Sequence, residues 1–407
     1  VLYGWAFAGF WLTNLVGIAV AGYEADRRGP LLPFLAGTLL FAAGLAVAGA
    51  APSMAWLVAG RVVQGFGAGA IASITYIVIA RGYATGAQPH MIAITSSAWV
   101  LPGIVGPAAA GYLAQEFSWR WAFVGLAPLL PLAGVLMVGP MRSLHRASDH
   151  APSEHPARRI LDALQLALAA ALLLAAGNAG ALLLSGGALA AGGLLIIQPL
   201  RRLLPAGTLL ARPGRGAVTA VIALICAAFF GAEAFVPLAI SSVRGAGTIA
   251  GGLALTAAAV TWAAGSWIQA RLAERGHRAG LTAAGVGLIA VGITLQVAVA
   301  VGPLPIYCAA IGWAIAGLGM GIAYSLTTLT SIQSAPAGSE GAASASVQLA
   351  NTLGVALGTG AVGAIVAYGA LRAGLAPAIA LAELAMLLVC AVAIVLCRRL
   401  PSSNPRA

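Results

Sequence analysis

The sequence predicts an all-α integral membrane protein, and three observations carry that reading. Of 407 residues, 61% are hydrophobic and 8% are charged, against roughly 25% charged in an ordinary soluble domain. The mean hydropathy is +0.97. Apolar runs of roughly 20 residues, the length that crosses a bilayer as a helix, recur from one end of the chain to the other. A water-facing shell cannot be assembled from this composition, which excludes a soluble enzyme. The runs are continuously apolar and rich in Ala, Leu and Gly, with no sustained period of two, so they read as helices and not as barrel strands.

About thirteen stretches follow in order, near 4–22, 31–50, 54–80, 90–114, 119–140, 160–176, 179–198, 216–240, 248–270, 280–301, 304–331, 341–368 and 376–397. Loops with Arg, Pro or Asp divide them: Asp26, Arg27 and Pro30 close the first, Pro52 the second, Arg81 the third. The segment 141–159 carries His, Ser, Asp, Glu and Pro with no apolar period and reads as a cytoplasmic linker between two bundles. The expected organisation is an N-terminal bundle at 1–140, this linker, an inserted transmembrane hairpin at 160–198, a C-terminal bundle at 199–400 and a cytoplasmic tail at 401–407.

All 21 basic residues are Arg and the net charge is +11. They lie between the apolar runs and form no single basic face, so nucleic-acid binding does not follow. With the Asp26–Arg27 loop placed in the cytoplasm, 17 Arg fall on that side and three (Arg120, Arg244, Arg372) outside, with Arg61 inside a span. That is a strong positive-inside bias. Cys226, Cys308, Cys390 and Cys397 show no metal-ligand spacing and read as small hydrophobes. The five His form no ligand cluster. No metal, cofactor or catalytic site is expected.

The chain also repeats itself. Gly65-Phe-Gly-Ala-Gly69 in the third stretch corresponds to Gly317-Leu-Gly-Met-Gly321 in the eleventh, and Ala25-Asp26-Arg27 to Ala273-Glu274-Arg275. Two similar bundles related by an axis along the membrane normal give such a pattern.

The segment Gly22-Tyr-Glu-Ala-Asp26-Arg27-Arg28-Gly29 resembles the cytoplasmic loop signature of the major facilitator superfamily. Arg61-Val-Val-Gln-Gly65-Phe-Gly-Ala-Gly69 is similar to its fourth-helix motif, and Gly103-Ile-Val-Gly106-Pro107-Ala-Ala-Ala-Gly111 to its fifth-helix antiporter motif. Trp119-Arg120-Trp121-Ala-Phe123 resembles the start of the sixth helix in the drug/proton antiporter branch, and the hairpin at 160–198 resembles the fourteen-helix subgroup. By this alignment the first stretch is the family's second helix, so the family's first helix is expected to be absent from this sequence. Pro30 departs from the basic residue usual at that place, which implies a weaker loop latch.

The resemblance implies a multi-pass transporter of the inner or plasma membrane. It would work by alternating access and export small hydrophobic or cationic compounds against proton entry, with the C-terminus cytoplasmic, lipid and protons as its other partners, and a monomer as its state. A lipid or metabolite exporter of the same fold is the alternative, and an inactive truncated transporter a further one. The proton-coupling candidates are Glu233, Arg61 and Glu383. Glu233 is an acid among Phe229, Phe230 and Phe235 near the outer third of its helix. Arg61 needs a partner or water inside its span. Glu383 lies in the final span, a helix that usually packs outside the cavity. Gly22, Asp26, Arg27 and Gly29, with Glu274 and Arg275, form the expected cytoplasmic gate, although charges there also serve as a topology stop. Gly65, Gly69, Gly103, Gly106, Pro107 and Gly111 are read as close helix-packing positions. Gln348 and Asn351, three residues apart and on one helix face, either line a cavity or bond a neighbouring helix.

The Arg asymmetry predicts that the 141–159 linker and the C-terminus share the cytoplasmic side. Single cysteines introduced as His150→Cys and Asn404→Cys should resist a membrane-impermeant maleimide on intact cells and react after lysis. Labelling of either on intact cells reverses the orientation.

Overall fold

The computed structural model describes residues 2–98, 116–142, 156–176, 182–246, 248–272, 277–302, 304–336 and 338–401, together with positions 100, 102, 113 and 144. A helix begins in or overlaps each expected stretch, with 90–114 described mainly as far as Ala98: α1 (Leu2–Arg28), α2 (Leu31–Gly49), α3 (Met54–Gly82), α4 (Gln88–Ala98), α5 (Leu129–Arg142), α6 (Pro156–Ala176), α7 (Leu182–Leu203), α8 (Arg215–Glu233), α9 (Thr248–Leu272), α10 (Arg278–Ala300), α11 (Tyr307–Gln333), α12 (Glu340–Ala373) and α13 (Leu375–Cys397). A short helix, Trp121–Val124, precedes α5, and a turn at Val236–Leu238 with a π-helical turn at Ala239–Val243 follows α8. Nine helical segments among the described residues are long and apolar enough to cross a membrane. The protein is a multi-pass, all-α membrane protein.

The chain divides into two compact units. The first comprises Val1–Ala84, Pro107–Ala206 and Ala335–Leu349; the second comprises Thr85–Gly106, Gly207–Ser334 and Ala350–Ala407. In the first, α3 packs against both α1 and α2, α5 lies on α2, and the α6–α7 pair lies on α1 through α6. Asp162 and Arg202 pair at 2.9 Å across α6 and α7, and Gln165 donates to the Leu195 carbonyl at 2.9 Å, so polar contacts clamp this hairpin at two levels. In the second unit α11 packs against both α9 and α10, α13 against α8 and α10, and α4 against α9.

The glycine pattern explains why α3 and α11 each sit between two helices. At about 100° per residue, glycines at i and i+4 share a face and the one at i+2 points to the opposite side. A β carbon on Gly65 or Gly69 would run into the Phe10 or Asn14 carbonyl of α1, and one on Gly67 would meet the backbone of Gly37 and Phe41 in α2. The second unit repeats this contact for contact. Gly317 and Gly321 abut the carbonyls of Ala258 and Trp262 in α9, and Gly319 abuts the Gly285 carbonyl in α10. Thr13 and Thr261 return their hydroxyls to carbonyls one turn back, at 2.9 Å each, beside these seams. The repeat visible in the sequence is thus a repeated backbone contact.

Gly29, with φ of +85°, ends α1 in the left-handed conformation while its N–H bonds the Ala25 carbonyl at 3.1 Å. Any L side chain is strained there. At the end of α8, Pro237 has no N–H to give to the carbonyl four residues back, that of Glu233. The α-helix stops at Glu233 for this reason, and resumes only as the short turn and π segment that follow.

Gly69→Val and Gly321→Val should each destabilise the protein by at least about 1–3 kcal/mol, because the added carbons meet backbone that cannot yield. Gly287→Ala, where a β carbon meets nothing within 4 Å, should leave stability unchanged or slightly raised. Melting temperatures in detergent test the contrast. Equal losses at all three positions would remove the contact as the explanation.

Candidate functional site

Among the described residues two clusters of polar and aromatic side chains stand out, one in each unit. In the first unit the Asp26 side chain is 1% exposed and pairs with Arg81 Nη2 at 2.5 Å. Its oxygens also accept the N–H groups of Gly341 at 2.8 Å and Ala342 at 2.9 Å, in the first turn of α12. These are donors that a helix leaves unsatisfied at its start, and the carboxylate meets the positive end of the α12 dipole. Arg81 reaches Glu340 at 3.3 Å and the Ala25 carbonyl at 3.1 Å. Ser344 donates to the Ser73 carbonyl one turn into α12. Burial lifts the Asp26 carboxyl above its ordinary value, while the Gly341 N–H, Arg81 and the Ala342 N–H pull it back.

Arg27 does not share this cluster: it pairs with Glu24 at 3.4 Å, partly exposed, as Arg28 does at 3.2 Å. Gly22 packs where a β carbon would meet the Gly341 carbonyl at 2.7 Å. The sequence reading grouped Asp26 and Arg27 with Glu274 and Arg275; the structure places Asp26 on Arg81, which also holds Glu340, and neither of these had been named as a gate residue. Arg81 looked like an ordinary charge ending a span, and nothing local marks a partner 259 positions away. Glu274 and Arg275 lie outside the described residues, as do Gly103, Gly106, Pro107 and Gly111.

Arg61 in α3 is half-buried. Its guanidinium bonds Gln64 Oε1, one turn on, and lies over the Phe10 ring at 4.2 Å from the centroid, a cation–π arrangement that lowers the cost of a charge in an apolar setting.

The second unit holds the other cluster. Glu233 Oε1 accepts from Trp313 Nε1 at 3.4 Å, and no Arg or Lys pairs with this carboxylate among the described residues. Trp313 stacks on Phe229 at 5.2 Å and 21°, Phe229 meets Trp262 edge-on at 5.6 Å, and Trp262 meets Tyr324 at 5.9 Å. Asn351 Nδ2 donates to the Tyr324 hydroxyl at 2.9 Å. Four helices, α8, α9, α11 and α12, therefore bring one acid, an amide and five aromatic rings together, Phe230 included. The sequence had named Glu233 and Asn351; Trp262 on α9, and Trp313 and Tyr324 on α11, had no signal of their own that pointed to this cluster. Gln348 is half-buried, and its stretch of α12 belongs to the first unit, whereas Asn351 belongs to the second. Glu383 in α13 is 2% exposed, and its Oε2 has no partner among the described residues. One turn on, Met386 packs against Gly231 of α8.

A helical multi-pass membrane protein with a repeated two-helix glycine sandwich and isolated intramembrane charges is built as a transporter is built. Residues 1–359 match the family model described as Major Facilitator Superfamily, and the chain belongs to that superfamily. A probable multidrug-efflux transporter of Mycobacterium tuberculosis is 27% identical over 382 residues, 90% of this chain and 80% of that one. An acurin A biosynthesis cluster MFS-type transporter of Aspergillus aculeatus is 30% identical over 148 residues, 36% of this chain. A multidrug resistance protein B homolog of Mycobacterium tuberculosis is 31% identical over 131 residues, 31% of this chain. The matched stretch spans only 27% and 24% of these last two relatives. Among solved structures, the human organic anion transporter MFSD10 (TETRAN) superposes with a TM-score of 0.69 at 16% identity, over 96% of this chain and 83% of that one. The proton:xylose symporter XylE bound to 6-bromo-6-deoxy-D-glucose gives 0.64 at 15% identity, over 96% and 85%. These two share the fold.

Removing the cation from a buried pair leaves an uncompensated charge, at about 3–5 kcal/mol, whereas exposed pairs contribute about 0–1 kcal/mol. Arg81→Gln should therefore lower the melting temperature in detergent far more than Arg27→Gln. Comparable shifts for the two variants would reduce the Asp26 cluster to a surface feature.

Proposed function

We propose that this transporter exports small hydrophobic or cationic compounds in exchange for protons by alternating access, from the inner or plasma membrane and as a monomer with its C-terminus in the cytoplasm. The observation that carries the reading is Glu233: a carboxylate among aromatic rings, without a basic partner among the described residues. An acid so placed is stable when protonated and needs water or a cation when ionised. Proton binding and cation binding then compete for one group, which is what exchange requires. Aromatic faces suit hydrophobic and cationic ligands. The efflux relatives in Mycobacterium tuberculosis add support.

Asp26 is assigned the cytoplasmic gate, held with Arg81 and Glu340 on the first turn of α12. Its contacts are electrostatic and directional, so they break as a set when the helix start moves away. Arg61 is assigned an auxiliary place in coupling, beside Gln64 and Phe10. Glu383, enclosed and with one oxygen unpartnered among the described residues, is the second candidate carrier. The packing glycines and Gln348 and Asn351 shape and line the path. A lipid or metabolite exporter of the same fold is the alternative reading, favoured by the acurin-cluster relative.

Glu233→Gln in the full chain, reconstituted into vesicles, should bind ethidium, a lipophilic aromatic cation, yet fail to move it uphill in response to a pH gradient. Undiminished gradient-driven movement would show that another acid carries the proton.

A further inference from the structure

The repeated glycine seam holds different side chains in its two copies. In the first unit Gly69 of α3 meets the Asn14 carbonyl and Ile18 N of α1; in the second, Gly321 of α11 meets the Trp262 carbonyl and Ser266 N of α9. One and two turns beyond, α1 presents Ile18 and Ala21, buried and apolar, where α9 presents Ser266 and Gln269. The polar residues are therefore no requirement of the packing, since the same seam closes without them.

These polar groups are deeply enclosed and incompletely satisfied. Ser266 and Ser325 share a hydrogen bond at 2.9 Å. Gln269 is 1% exposed and Thr328 0% exposed, yet neither amide atom of Gln269 nor the Thr328 hydroxyl has a partner among the described residues. The register runs Ala258 with Gly317, Trp262 with Gly321, Ser266 with Ser325, so Gln269 and Thr328 fall together one turn further on. Left dry, three orphaned polar atoms cost about 1–3 kcal/mol each.

We infer that the α9–α11 seam binds water at Gln269 and Thr328, and that this water is the cytoplasmic branch of the proton route to Glu233. A metal cation would satisfy the oxygens and leave the Gln269 N–H groups orphaned; water is donor and acceptor at once and answers both. The seam begins directly below Trp262 and Tyr324, the rings that join the Glu233 cluster, and runs toward the end of α9 that carries Arg271. Along it the Glu233 O–H breaks, the adjacent water takes that proton, and the far end of the water chain releases one to the cytoplasm. The carboxylate left behind is reprotonated from the opposite side. The route rests on Glu233 as the carrier; the water site does not.

The double variant Gln269→Met/Thr328→Val, in the full chain, separates the two. If the seam is hydrated, apolar isosteres lose bonds to water and the melting temperature falls; if it is dry, they relieve orphaned groups and it rises, which overturns the proposal. Infrared spectra during a switch to D2O read the route. The protonated-carboxyl band, assigned by its loss in Glu233→Gln, should shift about tenfold more slowly in the double variant, while Thr328→Ser keeps the original rate. An unchanged rate with a lowered melting temperature leaves the water in place and overturns the route. If Glu233→Gln removes no part of the protonated-carboxyl absorption, the carrier assignment itself is overturned, and the route with it; absorption that remains after a partial loss belongs to Glu383.

Discussion

In lipid, apolar side chains gain nothing by leaving the solvent, so helices must be held by contact and by polar bonds. The contact that organises this protein is glycine against carbonyl: Gly65 and Gly69 on α1, Gly67 on α2, and Gly317, Gly321 and Gly319 in the same order on α9 and α10. Because each meeting involves backbone on both sides, it fixes separation and register together and leaves no rotamer to adjust. The two central helices, α3 and α11, set where their neighbours stand, and hence which side chains can meet.

Against that uniform scaffold the charged residues are exceptional, and the protein treats them in two ways. Asp26 is surrounded by donors, with Arg81 and two N–H groups of α12. Such a charge is fixed, and it stabilises the arrangement that supplies its partners. Glu233 has the reverse environment, one long bond from Trp313 and aromatic rings around it. A carboxylate so placed lacks, among the described residues, the set of donors that holds Asp26. The two environments thus differ in the density of donors and not merely in depth.

The two units share a backbone plan but not its side chains. Where α1 offers Ile18 and Ala21 to its glycine helix, α9 offers Ser266 and Gln269. Likewise Arg61, the charge in the Arg-x-x-x-Gly run of α3, has Trp313 as its counterpart in α11, and that indole is the donor to Glu233. The repeated packing supplies stability to both halves, and leaves their non-contact positions open to specialise.

From the sequence alone came the all-helical membrane class, the approximate places of the described helices, the glycine repeat and the isolation of Glu233. These follow from local properties: apolar length, glycine spacing, and the rarity of acids in apolar runs. Arg61's need for a partner was legible too, but not that Gln64 and Phe10 would meet it. Tertiary structure alone decided that Asp26 meets Arg81 and, through it, Glu340, that Trp262, Trp313 and Tyr324 gather with Glu233, and that Gln269 and Thr328 are enclosed without partners among the described residues. Each of these depends on which helix lies beside which. A chain of similar apolar helices does not encode that order in any one segment, because it is the pairing of backbones across distant glycines that settles it.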